Sequence, residues 1–373
     1  MIYQHIVKPS LLLDPHRCRV NIHKMVEKAA MKGFTLRPHF KTHQSHIVGS
    51  WFRDEGIDKI TVSSVGMAVF FEVNGWDDIT IAFPVNVRQI GSIKDLSGKV
   101  KLGLVVVDPD SIDVLGKALT DEISIWIKID VGTHRTGILP EDINLIDEMV
   151  SRIKPYPHLS FAGLLGHAGH SYQSKTETQV VRTHQNAVDM MKKLRIRYIA
   201  SHPDLKISLG DTPAASLVSD FGPIDEFRPG NFVFYDLQQE EIGSCQLDEI
   251  AVAMACPVVA VHPDRLQWII YGGGIHFSKD FLTLHDGGKC YGKWVSTNEK
   301  SWSTKETVSG PFITSLSQEH GVVQCTERTF QYCKPGDLSL WLPVHSCMTA
   351  DAMGEYISTD GGKIDHFRER LWS

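Results

Sequence analysis

From Gly33 to about Asp236 the chain repeats one pattern eight times: a short run of β-branched and apolar residues, then a longer stretch with helical spacing. This alternation restricts the fold most strongly, because a strand can be followed by a parallel neighbour only after a long crossover, usually a helix. The strand candidates are Phe34–Lys41, Lys59–Ser63, Asp78–Phe83, Lys101–Val107, Ile123–Asp130, Leu159–Gly166, Leu205–Leu209 and Asp225–Arg228. Val65–Asn74, Pro140–Arg152 and Thr176–Arg195 carry helical patterns between them. Eight such units favour an α/β protein built on a closed (β/α)8, TIM-type barrel over an open doubly wound sheet.

After Asp236 the texture changes. Glu249–His262 and Gln267–Tyr271 read as long strands, Gly272-Gly273-Gly274 as a turn or bulge, and Asp360-Gly361-Gly362-Lys363 as a hairpin turn. A length of 373 residues exceeds the roughly 250–300 over which one core grows. The expected organisation is therefore a barrel over residues 20–240 and a second, mostly β domain over 241–373. A formal net charge of −6 without a dense basic block argues against nucleic acid or anionic membrane as partner and leaves small molecules. Met1-Ile2-Tyr3-Gln4-His5 shows no basic n-region or apolar h-region, so a cytoplasmic protein is expected. Seven cysteines with no CxxC pair do not suggest a disulfide framework.

If the strands form a barrel, the chemistry belongs at their C-terminal ends. Lys41 ends the first, within Arg37-Pro38-His39-Phe40-Lys41-Thr42-His43. Burial or neighbouring positive charge lowers a lysine pKa and frees its amine to condense with a carbonyl. Arg37, His39 and His43 are such neighbours, although a bare Lys-Thr-His is more often a surface lysine beside chance histidines. Gly210-Asp211-Thr212-Pro213 follows the seventh strand and reads as a helix start that could present N–H groups to a phosphate. Asp211 is an awkward neighbour for a dianion, so its carboxylate should point away while its amide contributes. Gly230-Asn231 could supply the other half of the cradle. In the second domain, His345 and Cys347 are two apart; in an extended segment they would face one side and could share one ion, with imidazole plus thiolate favouring zinc.

The string from Arg37 to His43 closely resembles the cofactor-lysine segment of the D-serine dehydratase and D-threonine aldolase family, pyridoxal-phosphate enzymes related to alanine racemase. The resemblance implies Lys41 as the cofactor lysine and catalytic base, and Arg135, within Asp130-Val131-Gly132-Thr133-His134-Arg135-Thr136-Gly137, as the arginine near the pyridine nitrogen. It implies His167 and Tyr172 beside the cofactor ring, and Gly210, Asp211, Thr212, Gly230 and Asn231 around the phosphate. Pro343-Val344-His345-Ser346-Cys347 matches the family's metal segment, and Gln318-Glu319-His320-Gly321 resembles another segment near it. The first 19 or so residues are implied to add a strand to the second domain, and the active form to be a homodimer. The expected activity is a lyase on a D-3-hydroxy amino acid, with pyridoxal phosphate and Zn2+, or Mn2+, as cofactors. Cys347 favours the dehydratase branch, whose metal pair is His and Cys, over the aldolases, which tend to have His and Asp. Retro-aldol cleavage, amino-acid racemisation and a non-catalytic cofactor carrier are the alternatives.

Overall fold

The structure is a computed structural model that describes residues 2–298 and 301–368. Residues 1, 299–300 and 369–373, which the sequence reading assigns to the β domain, lie outside the described residues. The chain divides into two compact units, one holding residues 24–41 and 49–230, the other residues 2–23, 42–48 and 231–368.

Eight parallel strands form the first unit: Thr35–Leu36, Ile60–Val62, Asp78–Pro84, Lys101–Val106, Ile123–Ile129, Leu159–Gly166, Lys206–Leu209 and Glu226–Phe227. The second to eighth pair in chain order, and the eighth pairs with the first. The ring closes where the first strand's continuation meets the second: His39 bridges Thr61, Thr61 N donates to Pro38 O at 2.9 Å, and Phe40 N donates to Thr61 O at 2.8 Å. Pro38 lacks an N–H, so the first strand ends early as regular structure, yet extended pairing carries on to the residue before Lys41. The central strands are buried on both faces, which is why Ile123–Ile129 is almost uniformly apolar, and Val105, Trp126 and Leu165 pack together across three neighbours.

Helix ends follow their caps. Glu177–Tyr198 begins where the Thr176 hydroxyl accepts from Gln179 N at 3.3 Å and buries Val180, His184, Ala187, Val188, Met191, Leu194 and Tyr198, the spacing of one helical face. It runs three residues beyond the expected Arg195. Ile143–Ile153 starts three residues later than expected from Pro140, because the Asp142 carboxylate caps Leu145 N at 3.2 Å.

A buried ionic chain crosses the barrel. Glu226 accepts from Arg37 Nε at 2.6 Å and from Ser208 Oγ at 2.6 Å; Arg37 also holds Asp78 at 2.6 Å, and Arg228 Nε donates to Ser208 Oγ at 2.6 Å. Burial is the largest single influence and opposes the Glu226 charge, but Arg37, the Ser208 hydrogen bond and Arg228 together outweigh it and hold the carboxyl below the usual range. Glu226→Gln is expected to lower stability by about 3–5 kcal/mol, because it leaves two buried guanidiniums short of a counter-charge. The wild-type contribution is present above the ordinary glutamate range and is lost as pH falls through the depressed folded value. Denaturant titrations of the two proteins between neutral and acid pH should therefore converge towards low pH; parallel curves would refute this assignment.

The second unit closes a barrel of its own from Gln267–Tyr271, His320–Gln324, Phe312–Leu316, Gly292–Thr297, Leu338–Pro343 and Val252–His262, the last pairing back to the first. Ser10–Leu13 pairs antiparallel with Val252–Ala255 and parallel with Tyr356–Ser358, so the N-terminal segment does add a strand. Val252–His262 starts later than the expected Glu249 because residues Leu247–Glu249 form a 3-10 turn, with Gln246 N held by the Glu249 carboxylate at 2.8 Å. Gly272-Gly273-Gly274 leads into a short helix, Gly274–Phe277.

Candidate active site

Lys41 lies one residue beyond the closure of the first barrel, on an exposed turn, with its N–H directed at His39 Nδ1 at 3.4 Å. Besides Arg37, the barrel buries two further cations, Lys128 and Arg228. Lys128, on the fifth strand, is buried; desolvation first, then Arg228, Arg135 and Lys41, push its pKa down to about 8, with Asp130 opposing. Burial lowers Arg228 to about 10. Burial, with Lys41 next, holds His167 at about 3 and His39 well below the ordinary histidine range. Both rings are therefore neutral at working pH, and the His167 Nδ1–H donates to the Gly210 carbonyl. Their folded values lie below the unfolded one, so the stability they contribute is full above about 6.5 and is lost as pH falls towards those values.

The loops after the fifth, sixth and seventh strands interlock. Thr133 Oγ1 donates to His167 O at 2.7 Å and accepts from Gly169 N at 2.9 Å. Tyr172 packs near the His167 ring, with centroids 6.4 Å apart, and its hydroxyl accepts from Thr212 N at 3.2 Å. The Asp211 carboxylate is turned to its own helix and a neighbour, accepting from Ala214 N at 2.8 Å and Ser171 Oγ at 2.9 Å; burial raises its pKa to about 6. Gly210 is required by packing, since a Cβ there would meet the Arg228 backbone at 2.8 Å. Gly210→Ala is accordingly expected to cost about 1–3 kcal/mol, measurable as a lowered denaturation midpoint; an unchanged midpoint would contradict the packing. Thr212 Oγ1 is buried and has no hydrogen-bond partner among the described residues.

These observations fit a phosphorylated, carbonyl-bearing group. The orphan Thr212 hydroxyl wants an acceptor, and the Asp211 carboxylate, which would repel a dianion, is engaged elsewhere. Arg135 stands on an exposed loop pinned by Asp130, whose Oδ1 accepts from Gly132 N at 2.9 Å and His134 N at 3.0 Å. Asp130 is thus committed to its own loop's backbone. Asn231 belongs to the second unit, and its side chain is directed at Asp236, Ser346 and Cys347. Only its backbone is left for the cradle suggested by the sequence. Gly230 belongs to the first unit.

His345 and Cys347 do come together, but not along an extended segment. The strand Leu338–Pro343 ends, His345 takes extended geometry as N-cap, and Cys347 sits in the first turn of the helix Ser346–Met353. His345 Nδ1 meets Asp280 Oδ2 at 3.0 Å. Burial works against its charge, yet the hydrogen bonds to Asp280 and Cys347 raise the imidazole to about 11. Asp280 orients the ring in the way a carboxylate supports a metal-binding histidine. Among the described residues no group of three or more His, Cys, Asp or Glu side chains could hold a metal ion, so a metal here would use this pair and keep positions open. The donor set, one imidazole and one thiol, suits zinc. Lys128, Arg228, Asp280, Asp236 and Thr42 were not reached by sequence reasoning; each lies in no recognisable local motif for its role.

A parallel eight-stranded barrel followed in the chain by a β barrel is the architecture of alanine racemase-like proteins. The model of the alanine racemase N-terminal domain matches residues 13–238, and that of a serine dehydratase domain matches residues 251–359. The first covers more than half of the chain, which therefore belongs to the alanine racemase N-terminal domain family and carries the serine dehydratase domain behind it. D-serine dehydratase of Dictyostelium discoideum is 28% identical over 401 residues, covering 96% of this chain and 95% of that protein. D-threo-3-hydroxyaspartate dehydratase of Delftia sp. (strain HT23) is 27% identical over 371 residues, covering 95% and 94%. Its solved structure superposes with a TM-score of 0.88 at 24% identity, over 98% of this chain and 99% of that one. Alanine variants of that enzyme at a histidine and at a cysteine two positions later have also been solved, the latter in a metal-free form. D-threonine aldolase of Arthrobacter sp is more distant, 24% identical over 61% of this chain. No helix among the described residues is long and apolar enough to cross a membrane.

Proposed function

We propose that this chain is a pyridoxal-phosphate- and metal-dependent lyase that converts a D-3-hydroxy amino acid to a 2-oxo acid and ammonia. The observation that carries the reading is the His345–Cys347 pair backed by Asp280, within the serine dehydratase domain of a chain whose barrel offers Lys41 at a strand end. A racemase or a simple cofactor carrier has no use for such a pair.

Bound pyridoxal phosphate would supply an electron sink for the carbanion at Cα, and a zinc ion, or manganese, would supply Lewis acidity towards the departing β-hydroxyl. Lys41 Nζ would hold the cofactor and would serve as the base for the Cα proton. The backbone N–H groups of Gly210, Asp211 and Asn231, with the Thr212 hydroxyl, would hold phosphate. His167, kept neutral, and Tyr172 would flank the ring, and Arg135 would face the pyridine nitrogen; a permanent guanidinium charge there keeps that nitrogen unprotonated. His345 and Cys347 would hold the metal, with Asp280 fixing the imidazole. A homodimer, which the family resemblance implies, is part of the proposal, and light scattering reads it directly; a fully active monomer would remove it.

Purified protein supplied with pyridoxal phosphate and zinc is to be incubated with D-serine, D-threonine and D-threo-3-hydroxyaspartate, and products identified. The expected result is equimolar 2-oxo acid and ammonia from at least one of them. Glycine plus aldehyde would place the chain with the aldolases, and L-amino acid with the racemases.

A further inference from the structure

The cysteine of the metal pair is itself surrounded by buried hydrogen-bonding groups that neither the family comparison nor the proposed mechanism uses. Thr42, fully buried, places its Oγ1 at 3.2 Å from Cys347 Sγ. Asn231, nearly as buried, gives one N–H of Nδ2 to Asp236 and places the other between Ser346 Oγ at 3.0 Å and the same sulfur at 3.4 Å. Asn231 is aimed by Asp236, whose Oδ2 accepts from Asn231 Nδ2 at 2.7 Å, from Ser346 N at 2.9 Å and from Ser346 Oγ at 3.1 Å. Asp236 Oδ1 accepts from Gln239 N at 3.0 Å, so both carboxylate oxygens are fixed and the whole assembly is rigid. All these residues belong to one compact unit.

We infer that Thr42 and Asn231 are positioning residues for the metal, acting through Cys347 by donating an O–H and an N–H to its sulfur. The inference rests on the reading of His345 and Cys347 as a metal pair. A thiolate carries its charge in diffuse lone pairs, and a half-buried one such as Cys347 is stabilised by donors that replace lost water. Two donors stabilise those lone pairs and fix the direction in which the remaining one points. They also draw electron density from the sulfur, which leaves a bound cation more electron-poor and a stronger Lewis acid. Asp236 sits behind the donors as a buried negative charge that favours a cation nearby without touching it. Thr42 directly follows Lys41 in the chain, so the segment that presents the candidate cofactor lysine also presents a donor to the candidate metal ligand.

Cobalt(II) tests this without turnover, because thiolate ligation gives a sulfur-to-metal charge-transfer band whose energy reports the sulfur lone pairs. Purified full-length wild type is first loaded with Co2+; the band should appear, and should be absent from Cys347→Ala. No band in the wild type overturns the metal reading itself. Given the band, Thr42→Val, which removes the hydroxyl with little change of volume, should move it to longer wavelength, and Thr42→Ser should restore the wild-type position. Asn231→Ala should move it in the same direction, which keeps the test open if one variant folds poorly by circular dichroism. Competition with a chelator should show Co2+ held about 10–100-fold more weakly in the shifted variants. A band at the wild-type wavelength in folded Thr42→Val and folded Asn231→Ala overturns the inference while leaving the metal pair intact.

Discussion

Lys41→Ala is expected to lose both the visible absorption of the purified holoprotein and its lyase activity. The lysine stands where the first barrel strand's pairing ends, one residue after Phe40 N donates to Thr61 O, so its backbone is fixed, and its charge bears on His39, His167 and Lys128. Covalent attachment of the cofactor needs this amine, and the proton at Cα needs a base in the same place. Removing a positioned general base alone costs roughly 10²–10⁴-fold in rate. Added methylamine should return part of the activity to the variant, because it replaces the amine but not the tether. Lys128 is a useful control, as a buried lysine of the barrel with its pKa pushed down to about 8 by burial and cationic neighbours. Lys128→Met should retain the absorption band. A wild type that stays colourless with cofactor, or a Lys41→Ala variant that stays coloured and active, would sink the assignment.

Much of the barrel was legible because its strands obey a rule that sequence displays. A parallel strand buried on both faces must be apolar throughout, and Lys101–Val106, Ile123–Ile129 and Leu159–Gly166 stand within a residue of where the apolar runs place them. Helix ends were less legible where side-chain caps decide them, as at Asp142. His345 and Cys347 stand out by resemblance to the family's metal segment, and their spacing suggests an extended geometry that the chain does not adopt. Period-two reasoning assumes that a strand continues, whereas the chain turns into the helix Ser346–Met353 at the histidine itself. The supporting residues were out of reach for a simpler reason. Asp280 meets His345 across 65 positions and Thr42 meets Cys347 across 305, and no periodicity links residues so far apart. Asn231 shows a further limit: a glycine-asparagine turn suggests a backbone contact to phosphate, but nothing local shows that the side chain serves Asp236, Ser346 and Cys347.

The second large effect is expected at Cys347. If the pair holds the metal, chelation should abolish elimination while the visible absorption of the Lys41-linked cofactor persists, because the metal is needed only for the leaving hydroxyl. Lewis-acid assistance is worth several kcal/mol, so the loss should be roughly 10²–10⁴-fold. Cys347→Ala should match the chelated protein and should not respond to added zinc. Cys347→Asp keeps two donors but makes one of them hard, so its recovery should be better with Mn2+ than with Zn2+. Asp280→Asn supplies the graded member of the series. It leaves both candidate ligands in place but replaces the carboxylate that now orients His345 at 3.0 Å. Metal affinity should weaken by about 10–100-fold, and activity should return at high metal concentration. Undiminished elimination by Cys347→Ala, or by thoroughly chelated wild type, would make the pair structural. The Lys41 chemistry would then have to expel the hydroxyl unaided, and racemisation, which breaks no Cβ bond, would become the better reading of the same barrel.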